Sequence, residues 1–235
     1  MPDRGLNAHL PHAELGRNGP FRGLRYPERA SVGSALVPKL LGSYERELQP
    51  VLEEIVARGP SEIVDIGCAE GYYAIGLALR LPAVRVFAYD TNAKAIALCR
   101  KMAELNGVAD RLVTGSFCDP GTLLSLPLMG RAIVVSDCEG YERELFTEDV
   151  VAFLAQHDVL IEVHDFLDIE ISSLLRERFE ATHSITAIQS IDDILKVRSY
   201  DYAELRGYDR ATRRILLAEK RPAIMEWLYL TPHAG

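Results

Sequence analysis

The stretch 65-DIGCAEGYY-73 decides the fold, because it joins a short apolar run, Glu62–Ile66, to a segment with helical periodicity, Tyr72–Arg80. Glycines at positions 67 and 71 allow the backbone to turn tightly and to approach a ligand without a Cβ in the way. An apolar run, a glycine-containing turn and a helix in this order form the first half of a βαβ unit. The stretch therefore predicts a parallel sheet with a ligand-binding loop after its first strand.

Outward from this stretch, short apolar runs alternate with helical patterns along the chain. Strands that alternate with helices imply right-handed crossovers and a largely parallel sheet. We therefore predict an α/β fold: a Rossmann-like, seven-stranded, mostly parallel sheet with helices on both faces, plus an N-terminal helical extension. The predicted strands are Glu62–Ile66, Val84–Tyr89, Arg111–Thr114, Ala132–Ser136, Val159–Val163, His183–Ile188 and Arg214–Ala218, and the predicted helices between them are Tyr72–Arg80, Ala93–Leu105, Val150–Gln156 and Ile169–Phe179.

The composition narrows the classes of partner and compartment. A net charge of −8, with 34 acidic and 26 basic residues, disfavours binding to the phosphates of nucleic acids. No run approaches the roughly 18 apolar residues that a membrane span needs, and the polar N-terminus lacks the apolar region of a secretory signal. We therefore expect a cytoplasmic protein with neither a nucleic-acid nor a membrane partner.

A second acidic position helps to identify the cofactor. Asp90 stands nineteen residues after Gly71, at the end of the second predicted strand, where a carboxylate can accept hydrogen bonds from ribose hydroxyls. A dinucleotide needs Gly-x-Gly-x-x-Gly, whereas the spacing here is Asp-x-Gly-x-x-x-Gly with Ala69 at the middle position. Asp65 would repel a pyrophosphate but suits the cationic methionyl end of S-adenosylmethionine. The pattern favours S-adenosylmethionine over NAD, and a tight turn without a ligand remains the alternative.

Two segments resemble motifs of class I S-adenosylmethionine-dependent methyltransferases. IVDIGCAEGYYAIGLA, residues 63–78, resembles their first motif, and VFAYDTN, residues 86–92, resembles their ribose-binding motif. The resemblance implies that residues after the first three strands surround the cofactor, with Ser116 and Phe117 beside the adenine; Phe117 suits a core position equally well. The cofactor-binding residues expected on this basis are Asp65, Gly67, Gly71, Tyr72, Asp90, Thr91, Ser116 and Phe117.

A later segment resembles a narrower group. SDCEGYE, residues 136–142, is similar to the Asp-x-Glu-Gly-x-Glu signature of FkbM-type methyltransferases, and LIEVH, residues 160–164, is similar to their next strand. GSYEREL, residues 42–48, resembles their lead-in helix, so the resemblance spans about residues 40–165. It implies O-methylation of a hydroxyl on a sugar, a polyketide or another small metabolite.

Acidic and imidazole side chains are concentrated after the fourth and fifth predicted strands, at Asp137, Glu139, Glu142, Glu162, His164 and Asp165. A neutral hydroxyl is a poor nucleophile, so its methylation requires a base or a metal ion. One interpretation is a divalent cation, Mg²⁺, Mn²⁺ or Fe²⁺, and another is a metal-free base, His164 or Glu139. A third is that these acids only cap helices and orient loops. The candidate catalytic residues are Asp137, Glu139 and His164, and the candidate metal ligands are Asp137, Glu162, His164 and Asp165.

These patterns support one leading function and two alternatives. The leading hypothesis is an S-adenosylmethionine-dependent O-methyltransferase that acts on a small hydroxylated metabolite. The alternatives are a non-catalytic S-adenosylmethionine-binding module and an N-methyltransferase acting on a macromolecule; the absence of an Asn-Pro-Pro-Tyr-like motif weighs against the latter. Residues 1–58 are assigned to an N-terminal extension with lead-in helices, irregular over residues 1–30, and residues 59–235 to the S-adenosylmethionine-binding domain. The oligomeric state is left open, with a homodimer as one option.

Overall fold

The computed structural model describes residues 15–28 and 31–233, and its strands form one seven-stranded mixed sheet in the order β3-β2-β1-β4-β5-β7-β6. The strands are β1 (Glu62–Ile66), β2 (Arg85–Tyr89), β3 (Leu112–Gly115), β4 (Ala132–Ser136), β5 (Asp158–Val163), β6 (His183–Gln189) and β7 (Glu226–Pro232). The helices are α1 (Leu36–Leu41), α2 (Gln49–Arg58), α3 (Tyr72–Arg80), α4 (Ala93–Leu105), α5 (Pro120–Leu124), α6 (Glu142–Leu145), α7 (Glu148–Phe153), α8 (Ile171–Phe179), α9 (Asp193–Ser199) and α10 (Arg210–Leu217). The predicted Rossmann-like fold is confirmed, with helices on both faces of the sheet.

Strands β1 to β5 are parallel, and their register brings their carboxyl ends to one edge of the sheet. Ile66 pairs with Tyr89 of β2 and with Ser136 of β4, and Tyr89 pairs with Gly115 of β3. Strand β7 runs antiparallel between β5 and β6. The loops that follow β1, β2, β3 and β4 therefore meet at the edge where sheets of this kind bind ligands.

The N-terminal extension is part of the main core. Phe21, Leu24 and Tyr26 are buried against residues of α2 and α3, and the ring centroid of Phe21 lies 5.0 Å from that of Tyr72. The backbone between residues 15 and 28 forms only an isolated bridge, as the prediction of irregular structure for residues 1–30 implies. Residues 1–14 and 29–30, which that prediction also covers, lie outside the described residues.

The prediction of the seventh strand is wrong. Residues 214–218 belong mainly to α10, and the seventh strand is Glu226–Pro232. A short apolar run such as ILL does not by itself separate a strand from a buried helix turn. Asp209 decides the outcome, because its side chain accepts a hydrogen bond from Thr212 N at 2.7 Å and caps the helix start.

Among the described residues, no helix is long and apolar enough to cross a membrane.

Candidate active site

A cavity of about 270 Å³ opens at the carboxyl edge of β1 to β4. Its size is near the lower end of the roughly 300–1,000 Å³ typical of small-molecule sites. We call it the main cavity, and we call residues 67–71, which follow β1, the glycine loop. The N-terminal extension supplies part of the wall, so the cavity lies between the sheet edge and residues that precede the predicted domain.

Asp90 braces the glycine loop on the main cavity wall. Its Oδ2 accepts a hydrogen bond from Ala69 N at 2.8 Å, and its Oδ1 accepts one from Asn92 N at 2.7 Å. Ala69 has a φ of 48°, a conformation that residues other than glycine seldom adopt. A carboxylate has about four acceptor positions, so Asp90 can hold the loop and still accept hydrogen bonds from two ligand hydroxyls.

Asp65 and Gly71 lie behind the cavity wall. Asp65 is buried and accepts a hydrogen bond from Ala74 N at 2.8 Å, which caps the first turn of α3. Burial raises the pKa of Asp65 to about 7, although the Ala74 hydrogen bond opposes the shift. A Cβ at Gly71, whose φ is 96°, would lie 2.9 Å from Cys99 Sγ and from Ile75 Cγ1. Both predicted cofactor contacts therefore shape the loop from behind, and neither lines the main cavity.

The remaining predicted cofactor residues lie on the wall of the main cavity. Tyr72 begins α3, Thr91 follows β2, and Ser116 and Phe117 follow β3. The side chain of Phe117 is 49% exposed and its ring centroid lies 5.3 Å from that of Tyr141. Phe117 is thus an aromatic wall residue rather than a core residue.

Gly67 links the glycine loop to the end of β4. Its φ is 84°, and a Cβ at this position would lie 1.7 Å from the carbonyl oxygen of Asp137. Only glycine permits this approach of two backbones. The two groups of residues that the sequence singled out, one after β1 and one after β4, therefore contact each other directly.

Three side chains from neighbouring strand ends converge beside this contact. Asp137 follows β4, Glu162 lies in β5 and His164 follows β5, and one ligand atom from each lies within 4.8 Å of the others. His164 Nε2 is 3.4 Å from Asp137 Oδ1, and that buried oxygen has no hydrogen-bond partner among the residues described. We call Asp137, Glu162 and His164 the acidic cluster.

Glu142 fixes the orientation of the His164 imidazole. It is fully buried at the start of α6, and its Oε1 lies 2.6 Å from His164 Nδ1. Because the hydrogen bond to Glu142 occupies Nδ1, the other ring nitrogen, Nε2, faces Asp137. Burial disfavours the charged imidazole, but the hydrogen bond and negative charge of Glu142 outweigh it and raise the pKa of His164.

The acidic cluster carries a surplus of negative charge. Burial, and then the neighbouring charge of Glu162, raise the pKa of Asp137 well above the usual range of an aspartate. Glu45 and Glu139 add to the same shift. Like charges at short range disfavour joint ionisation, so such a group either retains protons or binds a cation.

Arg221, in the segment before β7, joins the acidic cluster to the N-terminal extension. Its guanidinium forms ion pairs with Glu162 of β5 and with Glu45 of the N-terminal extension, and its Nε donates to Glu219 Oε2 at 3.0 Å. Burial raises the pKa of Glu45 to about 8 despite this arginine. Lys196 of α9 continues the network, with its Nζ 2.6 Å from Glu219 Oε1.

Two predicted residues stand apart from the cluster. Asp165 faces a second cavity and accepts a hydrogen bond from Ser172 N at 2.9 Å, so the structure does not bring this candidate metal ligand to the other three. Glu139 lies on the main cavity wall with 75% of its side chain exposed, and its Oε2 is 3.6 Å from His164 Nε2. Glu139 is therefore a neighbour of the cluster rather than a member.

Sequence reasoning missed the contribution of the N-terminal extension to the wall. Val32, Gly33, Ser34, Lys39 and Tyr44 all line the main cavity. Lys39 offered a signal, because it is the one charged residue in the otherwise apolar segment LVPKLL, residues 36–41. Tyr44 lies in GSYEREL, the segment that resembles a lead-in helix, and the other three offered no signal.

The comparisons with known proteins agree with this geometry. Residues 48–122 match the family model described as Methyltransferase small domain, and this segment includes the glycine loop and Asp90. This part of the chain is therefore similar to a methyltransferase domain. The matched segment ends before β4, so it does not include the acidic cluster.

Relatives and solved structures resemble different shares of the chain. Over 74 residues, 29% of this chain, it is 40% identical to the release factor glutamine methyltransferase of Chlorobaculum tepidum, and it spans only about a quarter (25%) of that relative's length. It is 25% identical over 162 residues to the probable cobalt-precorrin-6B C(15)-methyltransferase (decarboxylating) of Pyrobaculum calidifontis, covering 63% of this chain and 83% of the relative. The O-methyltransferase TomG from Streptomyces achromogenes, solved in complex with SAM, has the same fold, with a TM-score of 0.50, 16% identity and coverage of 78% of this chain and 80% of that one.

Proposed function

We propose that this chain transfers the methyl group of S-adenosylmethionine to a hydroxyl of a small metabolite, as an O-methyltransferase of the FkbM type. The observation that carries the proposal is the contact between Gly67 and Asp137, because it joins the nucleotide-type loop to a cluster of acids and an imidazole. A binding module without catalysis has no need of such a cluster. The resemblance of residues 136–142 to the FkbM signature supports the same substrate class.

The residues of the main cavity fit S-adenosylmethionine. Asp90 suits the ribose hydroxyls, and Phe117 offers an aromatic face at the end of β3 for the adenine. When bound, the cofactor supplies a methyl group on a sulfonium, which is already a good leaving group. The protein therefore has to hold the acceptor oxygen in line with that methyl group. It also has to accept the proton that the acceptor hydroxyl loses.

We further propose that the acidic cluster holds a divalent cation. Two carboxylates and one imidazole are ligands that Mn²⁺ and Fe²⁺ accept readily and that Mg²⁺ tolerates. Asp137, whose buried Oδ1 has no hydrogen-bond partner among the described residues, would hold such a cation together with Glu162 and His164. Such an ion would offset the negative charge and lower the pKa of an acceptor hydroxyl.

Glu142 has a role whether or not a cation is bound. By holding Nδ1 of His164, it keeps Nε2 directed at Asp137, where Nε2 serves as a metal ligand or as a base. In the metal-free alternative, His164 takes the hydroxyl proton itself. Glu162 is already paired with Arg221, so it is the less available acid for proton transfer.

Methylation of a macromolecule is the weaker alternative. The similarity to a release factor glutamine methyltransferase covers 74 residues, and the family model ends at residue 122, before β4. Residues 136–139 read Ser-Asp-Cys-Glu and not an Asn-Pro-Pro-Tyr-like motif. The similarity therefore concerns the part of the chain that would bind the methyl donor, and it does not indicate which group accepts the methyl.

The test compares cation binding, cofactor binding and turnover. We expect Mn²⁺ to bind the wild type, measured by electron paramagnetic resonance, and to bind Asp137→Ala and Glu162→Ala much more weakly. S-adenosylhomocysteine should bind all three proteins equally in calorimetry, with or without EDTA. Turnover is read as S-adenosylhomocysteine release with a panel of sugars, phenols and polyketide alcohols, and EDTA should abolish it.

The exposed acid Asp149→Ala is the matched control and should behave as the wild type. Equal Mn²⁺ binding by the wild type and Asp137→Ala contradicts the cation site. Full turnover in EDTA that His164→Gln shifts in pH profile supports the metal-free base instead.

A further inference from the structure

A buried ion pair joins the N-terminal extension to the glycine loop at the main cavity. Lys39 Nζ lies 2.6 Å from Glu70 Oε1, and both side chains are nearly inaccessible to solvent, at 3% and 2% exposure. The ammonium also lies over the rings of Tyr44 and Tyr72, at 4.8 and 5.1 Å from their centroids. A charge buried in this way is held in a fixed position by its surroundings.

Glu70 fastens the preceding segment as well. Its Oε1 accepts a hydrogen bond from Ser31 Oγ at 2.8 Å, and its Oε2 accepts one from Val32 N at 3.0 Å. Lys39 donates to Ser34 Oγ at 2.7 Å and to Ser31 Oγ at the longer distance of 3.3 Å. Of these groups, Lys39 and Ser34 lie on the wall of the main cavity, whereas Glu70 and Ser31 lie behind it.

The parts of the wall already assigned leave the side supplied by the N-terminal extension without a role. Asp90 marks the ribose position, Phe117 the adenine position, and Asp137 the direction of the acceptor. Lys39 and Ser34 lie on the side of the glycine loop that Glu70 ties to the extension, and Lys39 is the one cationic side chain among the described residues that line the cavity. The part of S-adenosylmethionine not yet accounted for is its amino-acid end, which carries a carboxylate and an ammonium group.

We propose that Lys39 and Ser34 bind the α-carboxylate of S-adenosylmethionine, so that the N-terminal extension completes the donor site. This assignment rests on the proposed function. The carboxylate takes the place of the long Ser31 contact as the third acceptor of the Lys39 ammonium, which has three donors. Glu70 keeps Lys39 in position, and the Ser34 hydroxyl gives up its long contact with Val32 O, at 3.3 Å, to donate to the same carboxylate.

The competing explanation is structural: the ion pair only fastens residues 31–34 to the glycine loop. The two explanations differ in which ligands they affect. Recognition of a carboxylate matters only for a ligand that has one, whereas a loosened wall weakens every ligand of the cavity. S-adenosylhomocysteine has the amino-acid end and 5′-methylthioadenosine lacks it, although both carry the same adenosine.

Calorimetry with these two nucleosides tests the proposal. Lys39→Met should weaken S-adenosylhomocysteine binding by about tenfold or more, as expected for loss of a hydrogen bond to a charged group, and should leave 5′-methylthioadenosine binding unchanged. The double variant Lys39→Met with Glu70→Gln leaves no unpaired buried charge and should show the same selective loss. Lys101→Met, at an exposed lysine of α4, is the matched control and should change neither affinity.

Each other outcome has a defined meaning. Equal weakening of both nucleosides by the double variant, or no weakening of either, overturns the assignment. Selective loss in the double variant supports it even if Lys39→Met alone fails to fold. A wild-type protein that binds neither nucleoside contradicts the proposed function itself, and the assignment with it.

Discussion

The glycine loop and the acidic cluster are neighbours in space but are assembled in different ways. The loop and its brace, residues 67–71 and Asp90, follow two adjacent strands directly, and backbone groups form most of their contacts. The acidic cluster depends on side chains that meet only in the folded chain, including Arg221, which holds Glu162 and the distant Glu45. A site built from loop backbone depends on local conformation, whereas a site built from converging side chains depends on packing throughout the domain.

The first prediction concerns Arg221, whose loss should have the largest effect. Its side chain is 14% exposed and bridges three carboxylates. Arg221→Met leaves these buried acids without their cation, so we expect a loss of about 3–5 kcal/mol in the free energy of unfolding, measured with urea. If the contrast with the glycine loop holds, any folded fraction should bind S-adenosylhomocysteine with unchanged affinity.

Two further variants sharpen this result. Arg221→Lys should recover only part of the stability, because an ammonium cannot form the forked contacts of a guanidinium. Arg176→Met removes a half-exposed partner of Glu226 and should cost less than about 1 kcal/mol. A similar loss of unfolding free energy in Arg221→Met and Arg176→Met would contradict the prediction that Arg221 stabilises the buried acids.

The second prediction concerns Asp90. If it accepts hydrogen bonds from the ribose, Asp90→Ala should weaken S-adenosylhomocysteine binding by about 1.5–3 kcal/mol, typical of hydrogen bonds to a charged group. Part of this loss should come from the loop, because Asp90 also accepts from Ala69 N and holds its positive φ. Asp90→Asn keeps one acceptor and should lose less. Unchanged calorimetric affinity in folded Asp90→Ala would exclude Asp90 from the ribose site.

The same contrast explains what could be predicted from the sequence. The positions of the first six strands along the chain and the loop after β1 follow from local apolar runs and glycines, and the structure confirms them. The prediction of a strand over residues 214–218 is wrong because the helix cap, Asp209, lies outside the apolar run ILL. Local patterns were informative where the determining residues lie within the apolar run or the glycine turn itself.

The candidate site divides along the same line. Asp137, Glu162 and His164 lie at the carboxyl ends of neighbouring parallel strands, so their convergence follows from strand order. Asp165, one residue beyond His164, turns to a different cavity because α8 draws its carboxylate to Ser172 N. The roles of Lys39, Glu45 and Arg221 depend on how the N-terminal extension and the segment before β7 pack on the sheet, which no local pattern records.

The third prediction is the smallest in effect and distinguishes the ionisation of the two regions. Burial opposes ionisation of Glu70, but the charge and hydrogen bond of Lys39, with the Val32 and Ser31 hydrogen bonds, lower its pKa. In the acidic cluster the pKa of Asp137 is raised instead. A carboxyl whose pKa is lowered by folding contributes stability above its unfolded pKa, about 4.3 for a glutamate, and loses it as the pH falls through the folded value.

The difference in unfolding free energy between the wild type and Glu70→Gln should therefore be greatest at about pH 5, fall slightly towards pH 7 as Asp65 ionises, and shrink below about pH 4.3. Urea unfolding at pH 6, 4 and 3 measures it, with Glu54→Gln as the exposed control on α2. Because only the difference between two proteins is used, titration of Asp137 and Glu45 cancels, whereas Asp65, whose pKa the charge of Glu70 helps to raise, adds a small change near pH 7. A difference that stays constant down to pH 3 would mean that Glu70 is not held in its ionised form by Lys39. The glycine loop would then resemble the acidic cluster in holding a carboxyl that retains its proton. The two regions would differ only in whether backbone groups or side chains form most of their contacts.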